Sequence, residues 1–424
     1  MSFLNSAALG TPTTAKTTDD LPKEETSERS YLAKRKVYTP APGEPLGRPY
    51  GPENPVLNSS LTSASRHSLL WKKQRVVAIP VCNEEDYIVP CLLALAAQKY
   101  KADKVILWIN NTTDDTCQRA RSLIDQLPFE LETVTVFYDA ALASAGLARR
   151  DAMAHAARAA SSDAILFTTD ADSEVASDWI ESILAAFVRY PVDAVFGRVL
   201  LLPDEYKKIP AHLHEDEQAE QAYGALLEQI ALLLNPEPYD PWPRHLEHSG
   251  ASIAVTRQAW SKVGGIPHIP SGEDRGFYQA LRQNGIPVRH ALDVKVYVSA
   301  RLQGRAQGGM AETLARRLIA QDECIDDIFE PVSRRLLRIR KELKYLRESR
   351  LSMSNQPYPE LPVIRIRRNE LQRHYERAER VLNFLSTVKR RVPENLQSAT
   401  ADQYDTPRLA LTDQGASVFH DRPE

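Results

Sequence analysis

The sequence predicts an α/β fold, a mostly parallel sheet with helices on both faces. Three observations carry that reading. Short apolar runs recur at regular intervals from Arg75 onward. Segments of helical pattern separate them. The runs are continuously apolar rather than alternating, as in Ala164-Ile165-Leu166-Phe167, which is the pattern of a strand buried on both faces.

The elements follow in order. Residues 1–65 are rich in Pro, Thr, Ser, Glu and Lys without apolar periodicity, and read as a disordered arm or an extended wrap. Strands are expected at 75–81, 104–110, 133–138, 163–169 and 193–202, and helices at 86–98, 114–126, 146–160 and 177–190. The third of these helices is alanine-rich and of high propensity. After Pro203 the alternation breaks. A helical stretch at 210–234 followed by the Pro-rich 235–243 reads as a helical insertion, about 204–243. Residues 252–256 return to strand character. A helix at 274–283 is closed by Asn284-Gly285, and 288–298 supplies late strands. Arg-rich helical sequence fills 310–397, and 398–424 is polar and loose. The expected organisation is therefore an arm, a domain at 66–309, a helical extension at 310–397 and a tail.

Bulk properties narrow the partners. A net charge of −3 over 424 residues gives no general pull toward nucleic acid. The four cysteines form neither a close metal-type pair nor a secreted disulfide pattern, which suits reduced thiols in the cytoplasm. No basic-then-apolar leader and no bilayer-length apolar run is present, so any membrane contact is expected to be peripheral. The basic helix around 332–350, with an apolar stripe at Leu336, Ile339, Leu343 and Leu346, is suited to such a contact, or to packing with its charged face in water.

The densest chemistry lies at Asp170-Ala171-Asp172, straight after the fourth expected strand. Ligands of open α/β sheets sit outside the carboxyl ends of the strands. Two carboxylates one residue apart at that edge make a hard oxygen site suited to Mg²⁺ or Mn²⁺ holding a diphosphate. The alternative is an Asp turn followed by a helix cap.

Four further patterns stand in fixed order around it. Ile79-Pro80-Val81-Cys82-Asn83-Glu84-Glu85 ends the first strand, and Asn110-Asn111-Thr112-Thr113-Asp114 ends the second. Gly146-Leu147-Ala148-Arg149-Arg150 opens the alanine-rich helix, and Gly272-Glu273-Asp274 comes late. Together with the acidic triplet, these resemble the family 2 glycosyltransferases of GT-A fold, over roughly residues 74–305.

The resemblance implies a role for each motif. Pro80, Asn83, Glu84 and Asn111 fall where the family contacts the nucleoside. The family usually has acidic residues where this chain has Asn110-Asn111, which leaves the base open; Asn83-Glu84-Glu85 is equally good helix-start chemistry. Arg149 falls where the family often places a phosphate-facing cation; the alternative is a solvated arginine on an exposed helix face. Asp170 and Asp172 would hold the cation, with His290 a candidate third ligand and His245 and His248 weaker ones. Asp274 would be the general base that takes the acceptor proton, beside Glu273, giving inversion at the anomeric carbon. Arg301 and Arg305 would close over the diphosphate as a flap, and Trp242 would line an acceptor groove. The implied donor is a nucleotide-diphosphate sugar. The acceptor is open: a glycan, a lipid-linked or a small molecule. The rivals are a sugar-nucleotide nucleotidyltransferase, which would want a Gly-rich phosphate loop after the first strand, and a non-catalytic nucleotide-binding scaffold.

Overall fold

A computed structural model describes residues 70–269, 271–302, 310–319, 323–351 and 361–391. The first half of the sheet is as the apolar runs predict. Strands β1 (Arg75–Val81), β2 (Lys104–Asn110), β3 (Glu130–Val136) and β4 (Ile165–Thr168) stand in the order β3-β2-β1-β4, each neighbouring pair parallel. β1 shows why its run is unbroken. Val77, Ile79 and Val81 enter the core on one face, while Val76 and Ala78 enter the core on the other. A strand covered on both faces has no polar side to show.

Helices α1 (Ile88–Ala96), α2 (Thr116–Arg121) and α3 (Ala145–Ala159) connect these strands. α3 starts at Ser144, whose hydroxyl accepts from the Leu147 N–H at 3.1 Å, an N-cap that fixes where Arg149 falls. Pro80, expected to end the ladder, lies inside β1. β4 pairs only with Arg75–Ala78, so beyond Ala78 one side of β1 requires no donor, and the proline is tolerated there.

The second half departs from simple βα alternation. β5 (Ser173–Val175) is followed by α4 (Trp179–Arg189), β6 (Ala194–Leu201), the short α5 (Pro203–Tyr206) and α6 (Ala211–Leu234). Then come β7 (Ile253–Thr256), α7 (Arg257–Val263), α8 (Glu273–Gln283) and β8 (Val288–Val298). β7 inserts between β4 and β6, antiparallel to both, and β8 pairs in parallel with β6. The full order is β3-β2-β1-β4-β7-β6-β8-β5, a mixed sheet that is mostly parallel and flanked by helices. Hydrophobic periodicity identifies a strand but not its direction, which is why β7 gave no warning.

β5 was not foreseen at all, because three residues are too few for a periodic signal. Its position matters. β4 ends at Thr168, and the chain reappears at Ser173 on the far edge of the sheet, antiparallel to β8. Thr169 to Asp172 make that short crossing through a turn in which the Ser173 N–H donates to the Asp170 carbonyl at 3.3 Å, so both carboxylates of the triplet stand just past the carboxyl end of β4.

The remaining helices are α9 (Met310–Leu318), α10 (Val332–Leu351) and α11 (Leu371–Arg391). A third core, separate from the two flanking the sheet, joins Tyr223 and Leu227 of α6 to Phe329, Val332, Ile366 and Ala378. The helix read as an insertion and the C-terminal helices thus share one interior. Among the described residues, no helix is long and apolar enough to cross a membrane. The expected arm at 1–65, the tail at 398–424 and Arg305 lie outside the described residues.

Candidate functional site

Two loops at the carboxyl ends of β1 and β2 are sewn together. Asn83 and Asn111 both adopt positive φ, 52° and 47°, which asparagine tolerates better than most residues. The Asn83 side-chain oxygen accepts from the Thr113 N–H at 2.8 Å, and the Glu84 N–H donates to the Thr116 hydroxyl at 2.8 Å. Asn111 donates to the Tyr138 carbonyl at 2.8 Å and accepts from the Tyr138 N–H at 3.0 Å. Its amide, expected to meet a nucleobase, is therefore engaged by the backbone beyond β3. The helix-start alternative for Asn83-Glu84-Glu85 is only partly what forms: α1 begins at Ile88, and Glu84 is turned inward and buried.

Glu84 meets Arg301, which follows β8. The guanidinium donates to both carboxylate oxygens, at 2.6 and 2.7 Å, in a bidentate pair. The same group lies 3.0 Å from Asp172 and 5.4 Å from the centre of the Tyr87 ring. Arg301 thus already sits among the acidic residues of the crossing.

Asp170 and Asp172 stand close enough to repel. Burial first, and the charge of Asp170 second, push the Asp172 carboxyl up to about 7, while Arg301 acts the other way. Arg149 holds Asp170 at 2.5 Å. That arginine is 5% exposed, which excludes a solvated helix face. Its guanidinium also donates to Glu273 at 3.1 Å, to the Thr168 hydroxyl at 3.2 Å and to the Gly250 carbonyl at 2.9 Å. Nε, both N–H groups of Nη1 and one N–H of Nη2 are thus engaged by protein.

Glu273 and Asp274 open α8. Gly272 before them has φ 74°, a left-handed turn that a side chain would strain, and it brings the chain abruptly into the helix. Glu273 points inward to Arg149. Asp274 accepts from the Gly250 N–H at 3.0 Å and from the Arg275 N–H at 2.7 Å. Burial first and Glu273 second raise its carboxyl above the usual range, while Arg149 and the two N–H donors oppose them. The structure thus gathers Asp170, Asp172, Glu273, Asp274, Arg149, Glu84 and Arg301 into one connected set.

His290 lies elsewhere. Its Nδ1 is 2.6 Å from Asp240, its ring stacks on Phe196 at 5.7 Å, and His245, His248 and Tyr278 meet it edge-on. His290 is thus a packed histidine of β8 and not a partner of the acidic triplet. His245 donates through Nε2 to the Phe196 carbonyl and accepts at Nδ1 from the Glu247 N–H, and burial lowers it to about 3. Trp242 is half-buried; the carbonyls of Pro241 and Pro243 on either side of it accept from Arg289 at 2.6 and 2.7 Å, which fastens its loop to β8.

Gly250 was not singled out from sequence, yet it bonds to both Arg149 and Asp274. A glycine preceding a strand carries no distinctive signal; only its two partners, far away along the chain, mark it.

Residues 76–241 match the family model described as glycosyl transferase family 2. This segment is of the family 2 glycosyltransferase kind. The match spans β1 through the loop carrying Trp242's neighbours, and so includes the Asp170 and Asp172 crossing. No sequence among the curated proteins matches the chain. Among solved structures, the chain is similar to glucosyl-3-phosphoglycerate synthase from Mycobacterium tuberculosis, seen with Mn²⁺, uridine diphosphate and phosphoglyceric acid. The identity is 15% and the TM-score 0.38, over 62% of this chain and 83% of that one. It is also similar to TarS of S. aureus, at 14% identity and TM-score 0.38, over 58% of this chain and 43% of that one.

Proposed function

We propose that the chain transfers a sugar from a nucleotide-diphosphate donor to an acceptor hydroxyl, with a divalent cation and with inversion. The observation that carries this reading is the convergence, at the carboxyl edge of a family 2 sheet, of an acidic pair on one side and a buried Glu-Asp pair on the other.

The acidic pair fits a cation. Asp170 and Asp172 offer hard oxygens one residue apart, the type of ligand a divalent cation takes. Among the described residues, no group of three or more His, Cys, Asp or Glu is placed to hold a metal by itself. Diphosphate oxygens and water would complete the coordination, as is usual for Mg²⁺ and close to it for Mn²⁺. When bound, the ion would neutralise charge on the departing diphosphate.

The chain's own groups do the rest. Asp274 accepts the proton of the attacking hydroxyl as its oxygen bonds to the anomeric carbon and the bond to the diphosphate breaks. Its raised affinity for a proton suits a base working near neutral pH. The loops at Asn83 and Asn111, tied to each other and to Tyr138 by hydrogen bonds, would meet the nucleoside, with Pro80 contributing from the end of β1. Asn111 would contribute shape through its backbone, since its amide is engaged. Arg301, 3.0 Å from Asp172, would follow the diphosphate charge when a cation claims that carboxylate, and Trp242 would line the acceptor groove. The nucleotidyltransferase rival lacks its Gly-rich loop; the loop after β1 is Cys82-Asn83-Glu84-Glu85.

The test is a thermal-shift panel of UDP-, GDP- and dTDP-sugars with and without Mn²⁺, followed by hydrolysis of the donor that binds. Cation-dependent release of the nucleoside diphosphate is expected. Binding without turnover under every condition, unaffected by Asp274→Asn, would favour the scaffold instead.

A further inference from the structure

The set described above contains one group that touches both carboxylate pairs. Arg149 donates through Nη2 to Asp170 at 2.5 Å and through Nε to Glu273 at 3.1 Å. Through Nη1 it donates to the Gly250 carbonyl at 2.9 Å, and the N–H of the same residue donates to Asp274 at 3.0 Å. A single planar fork thus reaches the leaving-group side of the site directly and the base side twice, once through Glu273 and once through the Gly250 backbone.

We infer that Arg149 is a positioning residue that sets the separation between Asp170 and Asp274 across the reacting sugar. The inference rests on the proposed roles of those two carboxylates and adds what holds them apart.

The packing around the fork supports this. A Cβ on Gly250 would stand 2.4 Å from Arg149 Nε and 2.5 Å from Cζ, so the backbone there has given up its side chain to let the guanidinium in. The group is nearly inaccessible, and a buried guanidinium is tolerated only when its donors are met and its charge is compensated. Both conditions hold here. The fixed angles of a guanidinium transmit direction as well as charge, which an ammonium cannot do. α8 is far in the chain from α3 and the β4–β5 crossing, Arg149 and Glu273 being separated by 124 residues and Arg149 and Asp170 by 21. Nothing local in sequence would keep them in register.

A geometric role and an electrostatic one separate by substitution. Arg149→Lys keeps the charge and loses the fork; Arg149→Met loses both. The charged groups facing Asp274 are Glu273 from its own helix and Arg149 from α3, alongside the N–H groups of Gly250 and Arg275. In folded full-length Arg149→Lys, kcat for Mn²⁺-dependent hydrolysis of the selected nucleotide sugar is expected to fall about 10- to 100-fold, the scale of a misplaced reacting group. KM and calorimetric affinity for the nucleoside diphosphate stay within about threefold. The acidic limb of kcat stays in place in the lysine variant and moves to higher pH in Arg149→Met, where the charge opposing Glu273 is gone.

Should Arg149→Met not fold, the double variant Arg149→Met/Glu273→Gln removes one of the two carboxylates left without a partner; because Glu273 raises the Asp274 carboxyl more than Arg149 lowers it, the acidic limb is then expected not to rise above the parent's, while the loss in kcat persists. Asp274→Asn runs alongside as the control on the site itself. An active Asp274→Asn would overturn the site reading. An inactive Asp274→Asn with Arg149→Lys turning over within twofold of the parent would overturn the positioning role alone, as would losses that scale only with the folded fraction.

Discussion

Asp274 is the residue with the narrowest assignment. Its two backbone donors aim the carboxylate, and burial gives it a basicity that an exposed aspartate lacks. Replacement by Asn keeps the shape and removes the base, so turnover should drop by about 10²- to 10⁴-fold with nucleotide affinity retained; steady-state kinetics beside calorimetry separates the two. Arg301 is the complementary case. It stands 3.0 Å from Asp172, where a cation would compete with it. Arg301→Ala should therefore bind Mn²⁺ more tightly in the absence of nucleotide while turning over donor more slowly. Titration of free Mn²⁺ by electron paramagnetic resonance reads the first effect, and an unchanged affinity would mean that Arg301 does not contend for Asp172. At this scale, what could be read from the sequence was chemical type and position relative to a strand or helix end, which singled out Asp170, Asp172, Glu273 and Asp274 as candidates. Partners could not be read. Whether Arg149 meets phosphate or Asp170, and whether the Asn111 amide meets a base or Tyr138, depends on contacts from distant parts of the chain.

The elements explain both what was legible and what was not. β1, β2 and β4 were visible because strands buried on both faces are apolar throughout, and α3 because alanine-rich sequence has few other options; β3, a half-exposed edge strand, was expected at 133–138 and runs from Glu130 to Val136. The direction of β7 and the existence of β5 are set by pairing, and a three-residue strand leaves no pattern of its own. Glu247, in the segment before β7, offers a test at this level. Its carboxylate accepts from the Val199 N–H of β6 at 2.6 Å, and burial raises it from 4.5 to about 7. Between those values the folded chain keeps a proton that the unfolded chain has released. Stability therefore falls as pH rises through that window, by at most about 1.4 kcal/mol per pH unit from this group. Urea denaturation across the window should show that slope in the parent protein and a shallower one in Glu247→Gln. Equal slopes would assign the pH dependence to other groups.

At the scale of the molecule, the sheet and the helical module are tied by buried charge. Arg244 pairs with Glu228 of α6, with Glu237 and with Asp240. Asp240 in turn receives Arg289 and His290 of β8, and although burial works against it, those partners hold it well below the usual carboxylate range. Arg282 of α8, the helix that begins with Glu273 and Asp274, reaches Glu237 and Glu342 of α10, each at 2.9 Å. The C-terminal helices are thereby coupled to the helix that carries Asp274. Arg244→Met strands several carboxylates in the interior and should cost about 3–5 kcal/mol in chemical denaturation; a loss below about 1 kcal/mol would mean that water relieves them.

The account turns on a cation at Asp170 and Asp172 holding a nucleoside diphosphate. Calorimetric titration of the diphosphate that best stabilises the protein, with Mn²⁺ and with EDTA, addresses this most directly. Parent protein should lose at least about tenfold in affinity when the ion is withdrawn, and Asp170→Asn/Asp172→Asn should bind weakly whether or not Mn²⁺ is present. Equal affinity in Mn²⁺ and EDTA, or a double variant that keeps the full effect of Mn²⁺, would contradict the assignment.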